Sequence, residues 1–372
     1  MVLKTIIYLV IILAIAGLAW TRIREKRPLG TAIPIGMVIS CLLVIEYLVT
    51  LFAGPEVLAP VTTLPLLDIA TDPAFLVQVI AEGLMAGVMY SLVALGFCLI
   101  YKASGVFNFS QGILMVFSVL CMITIYEYGV GIIPAVIGTL VVLVLLSYGI
   151  ERVVLRPMVN QNELILFMAT IGLSFFLEGF GEFIFGGNSK LVPVEALHLG
   201  RGAIDIAMFD GTVRLQELDL TAAVCSIILV ASLAVFFQKT TIGRALRAVA
   251  DDHQAALSVG IPLQTMWVVV WSVAGLVAMI SGIMWGAASS VDFSLVLIAL
   301  KAFPVLILGG FTSVPGVIVG GLIIGVGEKM AEIYWGDALG GSIEEWFAYV
   351  LAMVFLMFRP QGLFGEKIIE RV

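Results

Sequence analysis

The sequence predicts an all-α protein, a polytopic transmembrane helical bundle of about 10–11 spans. Hydrophobic residues make up 61% of the chain and charged residues only 12%, whereas a soluble domain carries about 25% charged residues. Apolar runs long enough to cross a bilayer, about 20 residues each, recur from one end of the chain to the other. This composition excludes a soluble globular domain.

The apolar runs place the spans in order along the chain. They lie near residues 2–20, 33–53, 75–101, 108–127, 131–150, 163–185, 219–237, 264–288, 293–311, 314–335 and 345–358. Lys301 and Pro304 interrupt the run 293–311, which is therefore either a full span or a broken, re-entrant helix. The long loop 186–218 contains alternating residues at 212–215 that predict a short hairpin, serving as a surface cap or as a contact for an external partner.

The distribution of Lys and Arg predicts the orientation, because cytoplasmic loops carry an excess of these residues. An external amino terminus and a cytoplasmic carboxy terminus place the following inside: Arg22, Arg24, Lys26, Arg27, Lys102, Arg152, Arg156, Lys239, Arg244, Arg247, Arg359, Lys367 and Arg371. The same assignment leaves Lys4, Lys190, Arg201 and Arg214 outside. Residues 2–20 are then a membrane anchor rather than a cleaved signal peptide.

Three regions follow from this reading. Residues 1–56 form a two-helix amino-terminal membrane segment, residues 57–74 form an external linker rich in Pro, Thr and acidic residues, and residues 75–372 form the main bundle. A polar segment, residues 239–262, lies between two spans of that bundle on the predicted cytoplasmic side.

The segment 239–262 predicts an amphipathic helix that starts at a Thr240 or Thr241 cap and ends at Gly260 and Pro262. Its apolar positions recur at helical spacing and are Ile242, Ala245, Leu246, Val249, Ala256 and Leu257. Arg244, Arg247, Asp251 and Asp252 point mostly away from that stripe. The helix is either a connector packed under its own bundle or a docking surface for a soluble partner.

Sequence motifs for enzymatic chemistry are missing. The four cysteines, Cys41, Cys98, Cys121 and Cys225, lie in apolar runs and are interpreted as core residues, and the two histidines are too far apart for a metal site. Neither GxxxxGK[ST] nor HExxH nor GxSxG occurs. We expect no enzymatic activity, no metal and no cofactor in this chain, and no nucleic-acid partner.

Polar residues inside spans are candidates for a translocation path, because burying them in a membrane is costly. Lys301 either attracts a carboxylate or forms a pair with Asp292 or another helix, and Asn108, Ser110 and Gln111 either cap a helix or line the path. The run 309–316 breaks an apolar region with turn-forming residues, as a broken helix lining a cavity does. The candidate path residues are Asn108, Ser110, Gln111, Lys301, Gly309, Gly310, Thr312 and Ser313.

Several segments together resemble the permease subunits of branched-chain amino acid ABC importers. They are GLMAGVMYSLVALGFCLIYKASGVFNFSQG at 83–112, the basic turn 151–157, TIGRALRA at 241–248 with 251–261, 300–316 with the glycines at 320–321, and FRPQGLFG at 358–365. They occur in the family's order and cover about residues 75–366. Ser110-Gln111 departs mildly from the usual pattern, and residues 1–56 are additional to the usual permease.

The resemblance implies a permease that pairs with a second permease, identical or paralogous, in the bacterial inner membrane. It is driven by two cytoplasmic ATPase subunits, which use the ATP, and supplied by an external, periplasmic solute-binding protein. The residues implied in contacting the ATPase are Ile242, Gly243, Arg244, Leu246, Arg247, Val249, Asp251, Asp252 and Gly260. The family also serves urea, short amides and aromatic acids, and a self-powered secondary transporter or channel is the alternative from another class.

Overall fold

The computed structural model describes residues 72–365, apart from residues 106, 159–160, 209–210, 252 and 340. Its α-helices are α1 Pro73–Ser104, α2 Gln111–Ile125, α3 Ile132–Ile150, α4 Glu163–Phe185, α5 Glu217–Lys239, α6 Thr241–Asp251, α7 His253–Ser258, α8 Leu263–Ala288, α9 Val296–Gly309, α10 Val314–Leu339 and α11 Phe347–Phe358. Seven helical stretches of the described chain are long and apolar enough to cross a membrane: Pro73–Ser104, Gln111–Val130, Ile132–Met158, Leu164–Phe185, Glu217–Lys239, Leu263–Ala288 and Val314–Gly336. The predicted spans 2–20 and 33–53 lie outside the described residues.

Two of the predicted spans are shorter than a membrane crossing. Helix α9 has 14 residues and α11 has 12, or about 21 Å and 18 Å at 1.5 Å per residue, against a hydrocarbon core of about 30 Å. Gly310, with φ +101°, ends α9, whereas Pro304 lies inside the helix without ending it. For 293–311, which was predicted as either a full span or a broken helix, the structure has a short helix, and the full span predicted at 345–358 is corrected to a short helix.

Helix α1 is the central helix of the bundle and packs directly against α10. Gly83 and Gly87 of α1 face Gly325 and Gly321 of α10. A Cβ added to Gly83 would lie 2.6 Å from the Cα of Val326, and one added to Gly321 would lie 2.6 Å from the carbonyl oxygen of Gly87. Both distances are too short for any side chain. The small residues therefore allow the two backbones to touch.

The predicted hairpin in the loop 186–218 is confirmed. Strands β1 Ala203–Met208 and β2 Gly211–Gln216 are antiparallel, with Arg214 opposite Asp205. The side-chain amide of Gln78 on α1 fixes the hairpin to the bundle: Nε2 donates to the carbonyl oxygen of Arg214 at 2.8 Å, and Oε1 accepts from the Arg214 N–H at 2.6 Å. The hairpin is thus held at the amino-terminal end of α1.

The chain after α11 folds back onto the end of α9. The N–H groups of Leu363 and Phe364 donate to the carbonyl oxygens of Leu308 and Gly309 at 2.8 and 3.1 Å. This turn needs Gly362 at φ +77°, a conformation that disfavours other residues. The tail segment 359–365 therefore covers Gly309 and Gly310.

Candidate functional site

Helix α6 begins with a sharp reversal at the end of α5. The hydroxyl oxygen of Thr240 accepts a hydrogen bond from the Gly243 N–H at 2.9 Å, so Thr240 is the cap, as one of the two predicted alternatives. A Cβ added to Gly243 would lie 2.6 Å from the Cα of Phe237. Only glycine at this position allows the first turn of α6 to pack on the last turn of α5.

One face of α6 packs on the bundle and the other is exposed. Leu246 and Val249 are 2% and 0% exposed, and α6 contacts α5, α1 and α8 through this face. Arg244 and Arg247 are exposed on the opposite side. The helix therefore presents the two arginine side chains at a fixed position, because its other face is packed against several helices.

Three apolar side chains are exposed beside these cations, and two of them belong to the predicted apolar stripe. Ile242 is 39% exposed, Leu257 is 51% exposed, and Val259 is 79% exposed, whereas Ala256 is buried. Ile242 and Leu257 therefore belong to the outward surface, whereas Leu246 and Val249, which the resemblance also implied in contacting the ATPase, lie on the packed face. The structure gives two helices, α6 and α7, for the one predicted, and Gly260 at φ +86° ends the second.

The remaining residues of this segment are only partly within the described chain. Asp252 lies outside the described residues, as does the side chain of Asp251. Their role at the surface stays a prediction. We call the outward surface formed by Ile242, Arg244, Arg247, Leu257 and Val259 the α6–α7 surface.

A second basic segment follows α3. The chain continues as a π-turn, Glu151–Leu155, and a short 3₁₀ turn, Arg156–Met158. Glu151 is buried and pairs with Arg156 at 3.2 Å, while Arg152 is exposed and donates to the hydroxyl of Tyr148 at 2.7 Å. The Glu151 pair fixes the turn and leaves Arg152 available at the surface.

The polar residues before α2 are buried and hydrogen-bonded locally. Asn108 Oδ1 accepts from the N–H and the hydroxyl of Ser110 at 3.1 and 2.7 Å. Gln111 Nε2 donates to the carbonyl oxygen of Ala274 in α8 at 3.2 Å. The side chain of Ser110, the residue before α2, makes no capping hydrogen bond to the helix, so both helix capping and path lining stay predictions for Asn108 and Ser110.

A small cavity of about 20 Å³ lies beside Asn108. It lies between α1, α4, α8 and the π-turn, lined by Ile100, Ser104, Asn108, Leu155, Leu166, Thr170, Trp267 and Trp271. Asn108 Nδ2 and Trp267 Nε1 are both buried donors without a hydrogen-bond partner among the described residues. This volume accommodates about one water molecule, which can accept from both donors.

Lys301 pairs with a carboxylate of another helix and not with Asp292. Its Nζ lies 3.4 Å from Glu328 Oε1 in α10, and the hydroxyl of Tyr90 in α1 donates to the same oxygen at 2.9 Å. Asp292 instead accepts from the N–H of Ser294 at 2.8 Å and caps a 3₁₀ turn. The predicted alternative of a pair between helices is the one observed, and it joins α1, α9 and α10.

The run from Gly309 to Ser313 serves local structure. Gly309 and Gly310 are buried beneath the tail segment, and Ser313 Oγ accepts from the Gly316 N–H at 3.1 Å at the start of α10. Thr312 lies in the connecting turn. The place of these residues on a path stays a prediction.

Sequence reasoning did not select Tyr90 or Trp267 as candidate residues. Tyr90 and Trp267 stand in apolar runs, where an aromatic residue indicates a core position. Glu328 carried a usable signal, since it is an acidic residue inside a span. Its partner could not be inferred, because Lys301 is 27 positions away on a different helix.

The fold and the site together define a multi-pass membrane protein with a fixed, outward-facing helix between two of its spans. The sequence model of one family, described as branched-chain amino acid transport system / permease component, matches residues 79–358. The chain belongs to this family of transport permeases, which is not a family of enzymes.

Curated relatives support the assignment over nearly their whole length. The high-affinity branched-chain amino acid transport system permease protein BraD of Pseudomonas aeruginosa is 29% identical over 79% of this chain and 97% of its own. LivH of Escherichia coli (strain K12) is 25% identical over 80% and 98%, and the probable permease protein LivH of Methanocaldococcus jannaschii is 25% identical over 77% and 92%. Among solved structures, PsaBC from Streptococcus pneumoniae in complex with Fab is 14% identical, with a TM-score of 0.40, over 78% of this chain and 93% of its own.

Proposed function

We propose that this chain is the permease subunit of an ATP-driven importer for branched-chain amino acids in the bacterial inner membrane. It forms part of the translocation path, and its α6–α7 surface receives a cytoplasmic ATPase. The permease family and the substrate class named for BraD and LivH support the proposal.

The single observation that carries the coupling role is the construction of α6. The Thr240 cap, the glycine contact at Gly243 and the buried Leu246 and Val249 fix the helix to α5, α1 and α8. A force applied to the exposed side of α6 is therefore transmitted to these helices as a unit. Packed helices often have two stable arrangements, so a small displacement at one surface can switch which side of the membrane the path is open to.

The partners follow from this role. We propose two ATPase subunits on the α6–α7 side, a second permease that is a copy or a paralogue, and an external solute-binding protein near the β1–β2 hairpin. Within this scheme the chain carries no cofactor and catalyses no reaction, because ATP is hydrolysed by the ATPases.

Reconstitution tests the proposal directly. Proteoliposomes that contain this chain with its partner subunits and the loaded binding protein are expected to accumulate radiolabelled leucine only when ATP is supplied to the ATPase side. The chain alone is expected to show no uptake with or without a proton or sodium gradient.

Two results would contradict the proposal. Gradient-driven leucine flux through the chain alone would identify a self-powered transporter. Uptake of urea or a short amide, but not of leucine, when each solute is supplied with its own binding protein, would contradict the proposed substrate class. The assignment as a permease would still hold.

A further inference from the structure

Helices α3 and α4 leave an apolar groove between them. The groove has a volume of about 540 Å³ and is lined only by apolar residues: Leu145, Leu146, Gly149, Ile150, Val153, Val154, Ala169, Gly172, Leu173, Phe176 and Leu177. In the most apolar 18 residues of each helical stretch, the buried share is only 22% for α3 and 33% for α4, whereas it is 78% for α1. The two helices therefore present a large apolar surface without a partner in the described part of the chain.

Glycines make this groove suitable for the close approach of another helix. A Cβ added at Gly149 or at Gly172 would meet no atom within 4 Å. These glycines are thus not required by packing within the described bundle, in contrast to Gly83 and Gly87. Small residues on an open membrane-facing surface allow a second helix backbone to approach.

The chain itself contains a segment available to fill the groove. Alignment with BraD uses 97% of that protein but only 79% of this chain, and the family match begins at residue 79. The predicted spans 2–20 and 33–53 precede this match. Gly36 and Ser40 in the second span form a small-xxx-small pair.

The predicted depth and tether length of the second span also fit. If residue 33 lies at the cytoplasmic end of the predicted span, a helix places Cys41 about 12 Å from that end. Gly172 lies nine positions after Glu163, the predicted cytoplasmic end of α4, and is therefore about 14 Å from its end. The residues between 53 and Pro73 extend to about 60 Å at most, which is long enough to cross a bundle of this size. The pair Gly36 and Ser40 then lies in the same half of the membrane as the groove.

We propose that the predicted span 33–53 packs into the groove between α3 and α4, with Cys41 beside Gly172. The amino-terminal segment is thereby a part of the permease bundle that closes a lipid-facing gap, and it is specific to chains with this extension. Helix α5 is as little buried as α3, at 22% of its most apolar part, and its exposed Ile227 and Ile228 belong to a surface that the proposal leaves uncovered by this segment.

Disulfide cross-linking in native membranes tests the placement. In the test variant of the full chain, Cys98, Cys121 and Cys225 are replaced by Ala and Cys41 is retained. The variant also carries the substitution Gly172→Cys and a protease site inserted in the linker 57–71. The matched control carries Ile228→Cys, which is 60% exposed on α5 at a similar predicted depth. After mild oxidation and cleavage, a cross-link keeps the amino-terminal fragment attached to the rest of the chain.

The proposal expects the attached fraction for Gly172→Cys to exceed that for Ile228→Cys by about tenfold, because packing holds the sulfurs within disulfide range and a tether alone does not. Equal fractions for the two variants, or no attachment while both thiols react with maleimide, would overturn it. A cross-link at twice the mass of the chain would instead assign the groove to a second copy. Phe176→Cys, one turn away, repeats the test, and none of these results depends on transport.

Discussion

At the scale of single residues, Lys301, Glu328 and Tyr90 form a buried connection between three helices. Glu328 is only 3% exposed and its second carboxylate oxygen has no partner among the described residues. Because an unpaired charge inside a membrane protein is costly, the ion pair with Lys301 is required for this carboxylate to remain buried.

Replacing Lys301 alone should therefore destabilise the bundle more than replacing both charges. Lys301→Met leaves an unpaired carboxylate and is expected to lower the free energy of unfolding by about 3 kcal/mol. Lys301→Met with Glu328→Gln retains an acceptor for Tyr90 and should recover most of that loss. Thermal unfolding of the purified variants in detergent measures both, and a double variant no more stable than the single one would contradict the pairing.

The residue scale also shows where sequence patterns are insufficient. An apolar side chain that packs on its own bundle and one that awaits a partner have the same spacing, so the pattern could not separate the exposed Ile242 and Leu257 from the buried Leu246 and Val249. The partner of Lys301 depends on the tertiary arrangement of α9 and α10. In contrast, the Thr240 cap and the Gly260 stop follow from local backbone chemistry and were predictable.

At the scale of elements, the tail segment 359–365 determines the geometry of the α9 terminus. Gly310 has φ +101°, and a Cβ there would lie 2.7 Å from the Gly365 nitrogen. The sequence run 309–316 correctly predicted a break, since Gly310 ends the helix. It could not show that the tail returns to cover this break, because the two segments are about 50 residues apart in the chain.

Substituting Gly310 should release the tail. Gly310→Ala introduces both backbone strain and a clash with the tail, whereas Gly105→Ala introduces strain alone, since Gly105 has φ +67° and no neighbour within 4 Å. We expect chymotryptic cleavage at Phe364 to accelerate severalfold in Gly310→Ala and to change little in Gly105→Ala. The strain costs about 1 kcal/mol at Gly105, which is left-handed helical, and about 1–3 kcal/mol at Gly310, whose φ +101° and ψ 128° lie outside that region. Equal cleavage rates in the two variants would show that the tail does not depend on this contact.

Most of the element boundaries followed from hydropathy, because a membrane span is specified by a local property of the chain. The seven long helical stretches match predicted spans within a few residues, and the β1–β2 hairpin matches the alternation at 212–215. The span at 345–358 was overestimated because apolar composition does not show that the 3₁₀ turn Ile343–Glu345 precedes a helix that begins only at Phe347.

At the scale of the whole molecule, the proposed function has the α6–α7 surface link a soluble partner to the membrane bundle. Its cations and exposed apolar residues are presented by a helix whose other face is part of the core. The positive-inside distribution predicts that this surface, the turn after α3 and the tail all face the cytoplasm. The central claim is therefore that this surface transmits the work of an ATPase.

The most direct test is leucine uptake by cells that express the full importer with Arg244→Glu and Arg247→Glu combined in this chain. Because both side chains are exposed, the variant should insert normally, while uptake and ATPase co-purification should fall by about tenfold or more. Arg244→Lys combined with Arg247→Lys, which keeps both charges at the same exposed positions, is the matched control and should retain most of the uptake and of the ATPase co-purification. Normal uptake with both reversals in place would contradict the coupling role of this surface.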